Sequence, residues 1–362
     1  MKRFGRSAAI VLAASTALSL TACAANESAA PEATVSSLTG TLVGAGASSQ
    51  GSAQEAWIAG FQTANPGVTI TYDPTGSGAG REAFIAGGTD FAGSDSFLKD
   101  EELTKTFAAC APGTTAFEVP AYISPIAVIF NVDGVDELNL DASTIAKIFT
   151  GAITTWNDPA IAALNPKAQL PDTAITPVHR SDDSGTTKNF SDYLFQTAKA
   201  DWAIEKPADT FPFQTGEGAQ GTSGVVDAVK NGTGTIGYAD ASKAGKLGVA
   251  KIKVGNKFIG YTPEAAAAVV AESKAVDGRA KTDMAININR TTTDATHYPI
   301  VLVSYLIGCN EYAKAGVADL VKPYFTYILS PEGQAAAASS AGSAPLDATL
   351  AEQATAIVSN IK

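Results

Sequence analysis

Apolar and polar positions along the chain alternate between two rhythms. Leu42-Val43 is a short apolar run that ends in a Gly-rich turn, and the stretch behind it, 53–64, carries Trp57 and Phe61 at helical spacing. Val68-Thr69-Ile70-Thr71-Tyr72 has the period of two of a half-buried strand, followed by another Gly-rich turn and a helix from about Gly80. Residues 123–130 read as one apolar run, as expected of a buried strand, and 175–178 as a shorter one with a helix over 186–196 behind it. Strands over 235–238 and 298–306 and a closing helix over 348–361 extend the pattern. The Ala-rich stretches 265–271 and 335–341 read as helix surface and loop. Strands alternating with helices argue for an α/β architecture with mostly parallel sheets.

The chain opens differently. Lys2, Arg3 and Arg6 precede an apolar run of small residues, 8–20, which has the layout of a secretory signal and is short for a membrane span. Leu20-Thr21-Ala22-Cys23 then resembles the bacterial lipobox. The resemblance implies that 1–22 is a lipoprotein signal peptide, cleaved before Cys23, and that Cys23 is acylated. Residues 23–37 are mostly Ala, Ser, Glu, Pro and Thr with almost nothing to bury, and read as a flexible tether. Export would place Cys110 and Cys309 in an oxidising compartment, where two cysteines suggest one disulfide; two separately buried thiols are the alternative.

Composition narrows the chemistry. At 362 residues the chain has the length of about two ordinary domains. Hydrophobic residues at 45% and charged ones at 17% can fill a core and exclude a disordered chain. Acidic residues outnumber basic ones 36 to 25, a net charge of −11, and no Lys/Arg run interrupts this, which argues against a nucleic-acid partner. Three Cys and two His leave almost no material for a zinc site, and no metal or cofactor is expected. An anion bound by such a chain must be held by local chemistry, because the overall field repels it.

Three polar turns offer that chemistry. Gly44-Ala45-Gly46-Ala47-Ser48-Ser49, Thr75-Gly76-Ser77-Gly78-Ala79-Gly80-Arg81 and Arg180-Ser181-Asp182-Asp183-Ser184-Gly185-Thr186-Thr187 each follow a strand and open a helix. A helix N-terminus presents unpaired N–H groups and a positive dipole end, hydroxyls add donors, and Gly lets the backbone approach closely. One such turn is usually just a cap; three in one chain, one of them with an Arg five residues before Gly185, point to an anion. Competing signatures fail: there is no nucleotide P-loop, no dinucleotide fingerprint and no G-x-S-x-G elbow. His179 adjoins Arg180, which discourages its protonation, and His297 lies in a polar loop; both read as structural.

Those turns, with Phe91-Ala92-Gly93-Ser94-Asp95, resemble the phosphate-binding protein of the bacterial high-affinity phosphate ABC transporter. The resemblance extends to Gly151–Trp156 with Asn157-Asp158-Pro159, to Leu164-Asn165-Pro166, Thr235-Ile236-Gly237-Tyr238 and Tyr298-Pro299-Ile300. It implies a type II periplasmic-binding-protein fold, two α/β lobes joined by two crossover strands with the ligand cleft between them. With crossings near 123–125 and 295–299, lobe 1 would comprise 38–123 and 297–362, and lobe 2 124–296. Carried over by motif, Ser48 supplies a hydroxyl and Ser49 a backbone N–H, at a position where the family often has an aromatic residue. Ser77 supplies hydroxyl and amide, and Asp95 accepts a proton from the ligand. Arg180 supplies a guanidinium, Ser184, Gly185 and Thr186 the helix opening of the other lobe, and Asp182 orients Arg180. A disulfide between Cys110 and Cys309 would then staple the two portions of lobe 1.

The implied protein is a non-enzymatic, monomeric lipoprotein on the outer face of the cell membrane. It captures inorganic phosphate and passes it to ABC permease subunits. Rival readings are a carrier of another oxyanion, a phosphate sensor, and a phosphatase or serine hydrolase. The last lacks a metal cluster or nucleophile–base pair in the sequence. Desolvating a divalent oxyanion costs far more than one contact returns, so hydroxyls, amides and one Arg fork must together surround it.

Overall fold

The computed structural model describes residues 36–362, so the expected signal peptide, Cys23 and tether residues 23–35 lie outside the described residues. Its centre is a nine-stranded sheet. In chain order the principal strands are β1 (Thr39–Gly46), β2 (Gly67–Asp73), β3 (Phe91–Ser94), β4 (Ala116–Asn131), β5 (Thr176–Arg180), β6 (Glu217–Ala219), β7 (Thr235–Asp240) and β8 (Val301–Cys309). They lie side by side in the order β2-β1-β3-β8-β4-β7-β5-β6, with the short strand Gly248–Val249 also on β4.

β4 joins the two halves. From Ala116 to Pro125 it pairs with β8, and from Ile126 to Asn131 with β7. Pro125 falls at the exchange of partners, where the ladder breaks in any case and a missing N–H costs least. All residues of β4 but the last, and all of β8, are buried.

The expectation of mostly parallel sheets holds only at the flanks. β1 runs parallel to β2 and β3, and β5 to β6 and β7, but the central pairings β3–β8, β8–β4 and β4–β7 are antiparallel. β8 re-enters the first half of the sheet after a long excursion and runs against β4. A strand buried on both faces reads as the same apolar run in either direction, so its pattern carries no sign of this.

The helices that matter for the site are α1 (Gly51–Ala64), α2 (Ser77–Ile85), α3 (Gly185–Thr197) and α4 (Gly221–Asn231). They are followed by α5 (Pro263–Ala271), α6 (Ala318–Leu329), α7 (Pro331–Ala341) and α8 (Ala348–Val358). α2 begins at Ser77 rather than near Gly80. The last expected strand starts at Val301 rather than 298. The stretch 335–341 is helix, not loop, and buries Ala337 and Ala341. There α7 lies against α1, whose Trp57 indole donates to the Gly333 carbonyl at 2.7 Å; small side chains let the two helices come that close. Cys110 and Cys309 form a disulfide, with Cα atoms 5.2 Å apart, across a sequence separation of 199. Among the described residues no helix is long and apolar enough to cross a membrane.

Candidate functional site

The three turns meet where the two halves of the sheet face each other. After β1, Ser48–Gln50 forms a single 3₁₀ turn that leads into α1. After β2, the Gly76 N–H donates to the Gly46 carbonyl at 2.8 Å, which seats the start of α2 against the first turn. From the other half, Ser184 caps α3, its hydroxyl accepting from the Thr187 N–H at 3.2 Å.

Asp95, just past β3, sits at the centre and is 3% exposed. Its backbone N–H donates to the Ser77 hydroxyl at 3.1 Å. Its Oδ2 accepts from Ser49 Oγ at 2.6 Å and from Thr186 Oγ1 at 3.3 Å, and its Oδ1 from Ser304 Oγ at 2.6 Å. Its carbonyl accepts from Asn189 Nδ2 at 2.7 Å. Gly185 stands so close that a Cβ there would lie 2.5 Å from the Asp95 Cβ and 2.7 Å from the Ser77 Oγ. Only a residue without a side chain lets α3 open directly onto Asp95.

Arg180 ends β5 and is buried. Its guanidinium forks onto Asp182, Nε to Oδ1 at 2.7 Å and Nη2 to Oδ2. Asp182 Oδ1 also accepts from the Gly221 N–H at 2.9 Å, which ties the Arg to the start of α4. Ser48 Oγ shares a hydrogen bond with Thr222 Oγ1 at 3.0 Å and accepts from the Thr222 N–H at 3.1 Å. Four helix openings, those of α1 through its 3₁₀ turn, α2, α3 and α4, therefore converge on one point.

Ser48, Ser49, Ser77, Asp95, Arg180, Asp182, Ser184, Gly185 and Thr186 thus all fall in one cluster. Ser49 presents its hydroxyl to Asp95, a contact the backbone role expected of it did not include. Sequence reasoning missed Gly221 and Thr222, although Gln220-Gly221-Thr222-Ser223-Gly224 has the same small, polar, helix-opening composition as the other turns. It also missed Ser304 and Asn189, which sit inside a strand and a helix and carry no local signal.

Electrostatics follow from burial and partners. Burial pushes the Asp95 carboxyl up, against the pull of the Ser304 and Ser49 hydroxyls, the Arg180 charge and Thr186. At Asp182 burial works in the same upward direction, but the hydrogen bonds and charge of Arg180 and the Gly221 N–H together hold the carboxyl below its usual range. Asp240, at the end of β7, is pushed up to about 6, chiefly by burial, with Asp95 adding to the rise. With Arg180 matched by Asp182, the charge left over is that of Asp95. The cluster would therefore hold an anion chiefly through neutral dipoles, the hydroxyls and the N–H groups of the helix openings, beside the Arg180 guanidinium. Among the described residues no group of three His, Cys, Asp or Glu side chains is placed to hold a metal ion.

Known proteins share this arrangement of chain. A family profile described as a PBP superfamily domain matches residues 30–332. Phosphate-binding protein PstS 3 of Mycobacterium leprae is 38% identical over 293 residues, covering 78% of this chain and 77% of that protein. Phosphate-binding protein PstS 2 of Mycobacterium tuberculosis is 36% identical over 296 residues, covering 80% and 79%. Among solved structures, a high-affinity periplasmic phosphate-binding protein bound with phosphate superposes with a TM-score of 0.70 at 22% identity, over 88% of this chain and 93% of that one. At that identity the likeness concerns the fold, which is the type II periplasmic-binding fold of two α/β lobes about a cleft.

Proposed function

Because the chain belongs to the PstS family of phosphate-binding proteins, we propose that it captures inorganic phosphate between its two lobes, outside the cytoplasm, and delivers it unchanged to an ABC permease. One observation carries the reading: four helix openings from both halves of the sheet converge on a buried Asp and an Arg already matched by its own carboxylate. Such a site favours an oxyanion that keeps a proton. Ser48, Ser49, Ser77, Ser184, Gly185 and Thr186 would donate to the phosphate oxygens, with Arg180 oriented by Asp182. Asp95 would accept the ligand's O–H, and Thr222 is added as the partner of Ser48. The lobes would be 38–123 with 297–362, and 124–296, each contributing half of the donors, so that closure excludes water and strengthens every bond.

Attachment would be by lipid on Cys23, with residues 23–37 as the tether; several acyl chains together give stable anchoring where one does not. Replacing Cys23 by Ser should release the protein or leave it unprocessed, and an unmodified thiol in membrane-derived material would end that part of the reading. The binding reading is tested by titration calorimetry on protein stripped of ligand by unfolding and refolding. Phosphate and arsenate should bind, and sulfate should bind far more weakly. No heat with phosphate, or equal affinity for sulfate, would overturn it.

A further inference from the structure

Behind Asp95, reaching its Oδ1 while Ser49 and Thr186 hold Oδ2, four buried side chains form a single file. Tyr324 of α6 donates its hydroxyl to Gln54 Oε1 at 2.8 Å. Gln54 Nε2 donates to Gln50 Oε1 at 2.9 Å. Gln50 Nε2 donates to Ser304 Oγ at 2.8 Å, and Ser304 Oγ reaches Asp95 Oδ1 at 2.6 Å. Tyr324, Gln50 and Ser304 are fully buried and Gln54 is 1% exposed.

The direction of this file is dictated by a backbone atom. Gln50 Nε2 also donates to the Tyr305 carbonyl at 2.9 Å. A carbonyl oxygen only accepts, so the Gln50 amide cannot be turned round. Its Oε1 must therefore face Gln54, whose nearer atom must be the NH₂, which leaves the Gln54 oxygen for the Tyr324 hydroxyl. At the other end Gln50 supplies a hydrogen to Ser304 Oγ, and the hydroxyl hydrogen of Ser304 points to Asp95. The β8–β4 register shifts between Ser304 and Tyr305, where these two groups meet Gln50. Gly93 of β3 makes room for the amide: a Cβ there would lie 2.5 Å from Gln50 Oε1.

We propose that Ser304, its hydroxyl oriented by Gln50, Gln54 and Tyr324, is a positioning residue for ligand specificity that keeps Asp95 a pure acceptor. Every member of the file donates toward Asp95. The Ser304 hydrogen bars a proton from Oδ1, and its hydrogen bond, like those of Ser49 and Thr186 to Oδ2, is stronger to the carboxylate than to the acid, so the file disfavours a protonated Asp95 that could donate to a fully deprotonated oxyanion. The pull of Ser304 against the burial of Asp95 works in the same sense. The inference rests on the phosphate reading for its consequence, and on the hydrogen-bond geometry alone for the state of Asp95.

The other charged or titratable groups facing Asp95 are Arg180 of β5, Tyr72 of β2, Tyr122 of β4 and Asp240 of β7. Lys188 and Asp192 of α3, with Arg290, line a small cavity that Asp95 also borders. All of them remain in place when Ser304 is changed, so a difference between variants belongs to the file.

The test compares wild type, Ser304→Ala, Ser304→Thr and Gln50→Leu between pH 8 and pH 5. The phosphate-to-sulfate affinity ratio of each variant is divided by the wild-type ratio at the same pH, which cancels the titration of phosphate itself. For Ser304→Ala that quotient should fall by about tenfold or more toward pH 5, as expected on losing a hydrogen bond to a charged group. Ser304→Thr, which keeps the hydroxyl, should restore it, and Gln50→Leu should show a smaller fall. A Ser304→Ala quotient that is flat with pH would overturn the proposal. In parallel, carbon-13 NMR of the Asp95 carboxyl in the ligand-free protein should show its titration midpoint rising in Ser304→Ala and returning in Ser304→Thr. That readout needs no phosphate, so it still decides the role of Ser304 if wild-type protein fails to bind the anion, a result that would count against the functional reading instead. An unmoved midpoint would likewise overturn the proposal.

Discussion

At Asp182 the Arg180 guanidinium outweighs burial, whereas Asp95 and Asp240 have no matched cation and are held above the usual carboxylate range. The difference has two measurable consequences. An ionised Asp95 bonds to a ligand O–H and repels an oxyanion that has none, and a site built this way can reject the analogue by about 10⁴-fold or more. Asp95→Asn keeps the shape and adds an amide donor, so the phosphate-to-sulfate affinity ratio should shrink while phosphate binding persists; calorimetry with both anions reads it. Asp240 accepts from the Ser242 hydroxyl at 2.6 Å and the Tyr122 hydroxyl at 3.2 Å, and is fully buried. Its folded-state pKa of about 6 lies above the unfolded value of about 4, so the protonated form is the one the fold favours. Stability from this group is complete below about pH 4 and is lost as the pH rises through about 6, a change on the order of 3 kcal/mol. Asp240→Asn should therefore gain stability relative to wild type at pH 8 but not at pH 4, as urea unfolding at the two pH values would show.

At the scale of elements, the helix openings carry the site. α3 is the informative one, because Ser184 caps it while Gly185 faces Asp95 and Thr186 donates to it. Gly185→Ala would place a methyl 2.5 Å from the Asp95 Cβ. Overpacking of this kind costs about 1–3 kcal/mol, and the cost falls on the approach of α3 to β3. Phosphate affinity should drop by about tenfold or more, and the melting temperature without phosphate should fall by a few degrees. An affinity equal to wild type would show that the two halves need not meet here. Three of the four openings were legible in the chain because Gly, Ser and Thr clustered after an apolar run. The fourth, at Gly221, follows the three-residue strand β6, with no apolar run to announce it.

Across the whole molecule, Asp209 ties the two halves together. It accepts from Arg81 Nη2 at 2.8 Å and from Ser96 Oγ at 2.9 Å, lies 2.9 Å from Lys99 Nζ, and is 2% exposed. Burial works against its ionisation, but Arg81 and Lys99 together pull the carboxyl down to about 2. The folded value lies below the unfolded one, so this stability is present above about pH 4 and is lost as the pH falls through about 2, some 2–3 kcal/mol in all. Asp209→Asn should lower stability at pH 7 by about that amount and weaken phosphate binding. Equal unfolding midpoints for the two proteins at pH 7 would refute the role. The Cys110–Cys309 bridge acts on the same scale. Its loop of 199 residues could contribute about 5 kcal/mol in the chain-entropy account, so reduction should lower the melting temperature markedly.

Local pattern was enough for the alternation of strands and helices, for three donor-rich turns, and for the expectation that Cys110 and Cys309 pair. Each rests on neighbouring residues or on the chemistry of a compartment, and backbone geometry acts over the same few positions. Only the tertiary structure decided the antiparallel centre of the sheet, since β4 and β8 are buried on both faces and their apolar runs carry no direction. Only it brought Ser304 and Gln50, 254 residues apart, against each other and against Asp95, and placed Asp209 on Arg81. Those side chains are ordinary polar residues in their own segments. Their role comes from burial, where a donor without an acceptor is costly, and burial belongs to the folded chain as a whole.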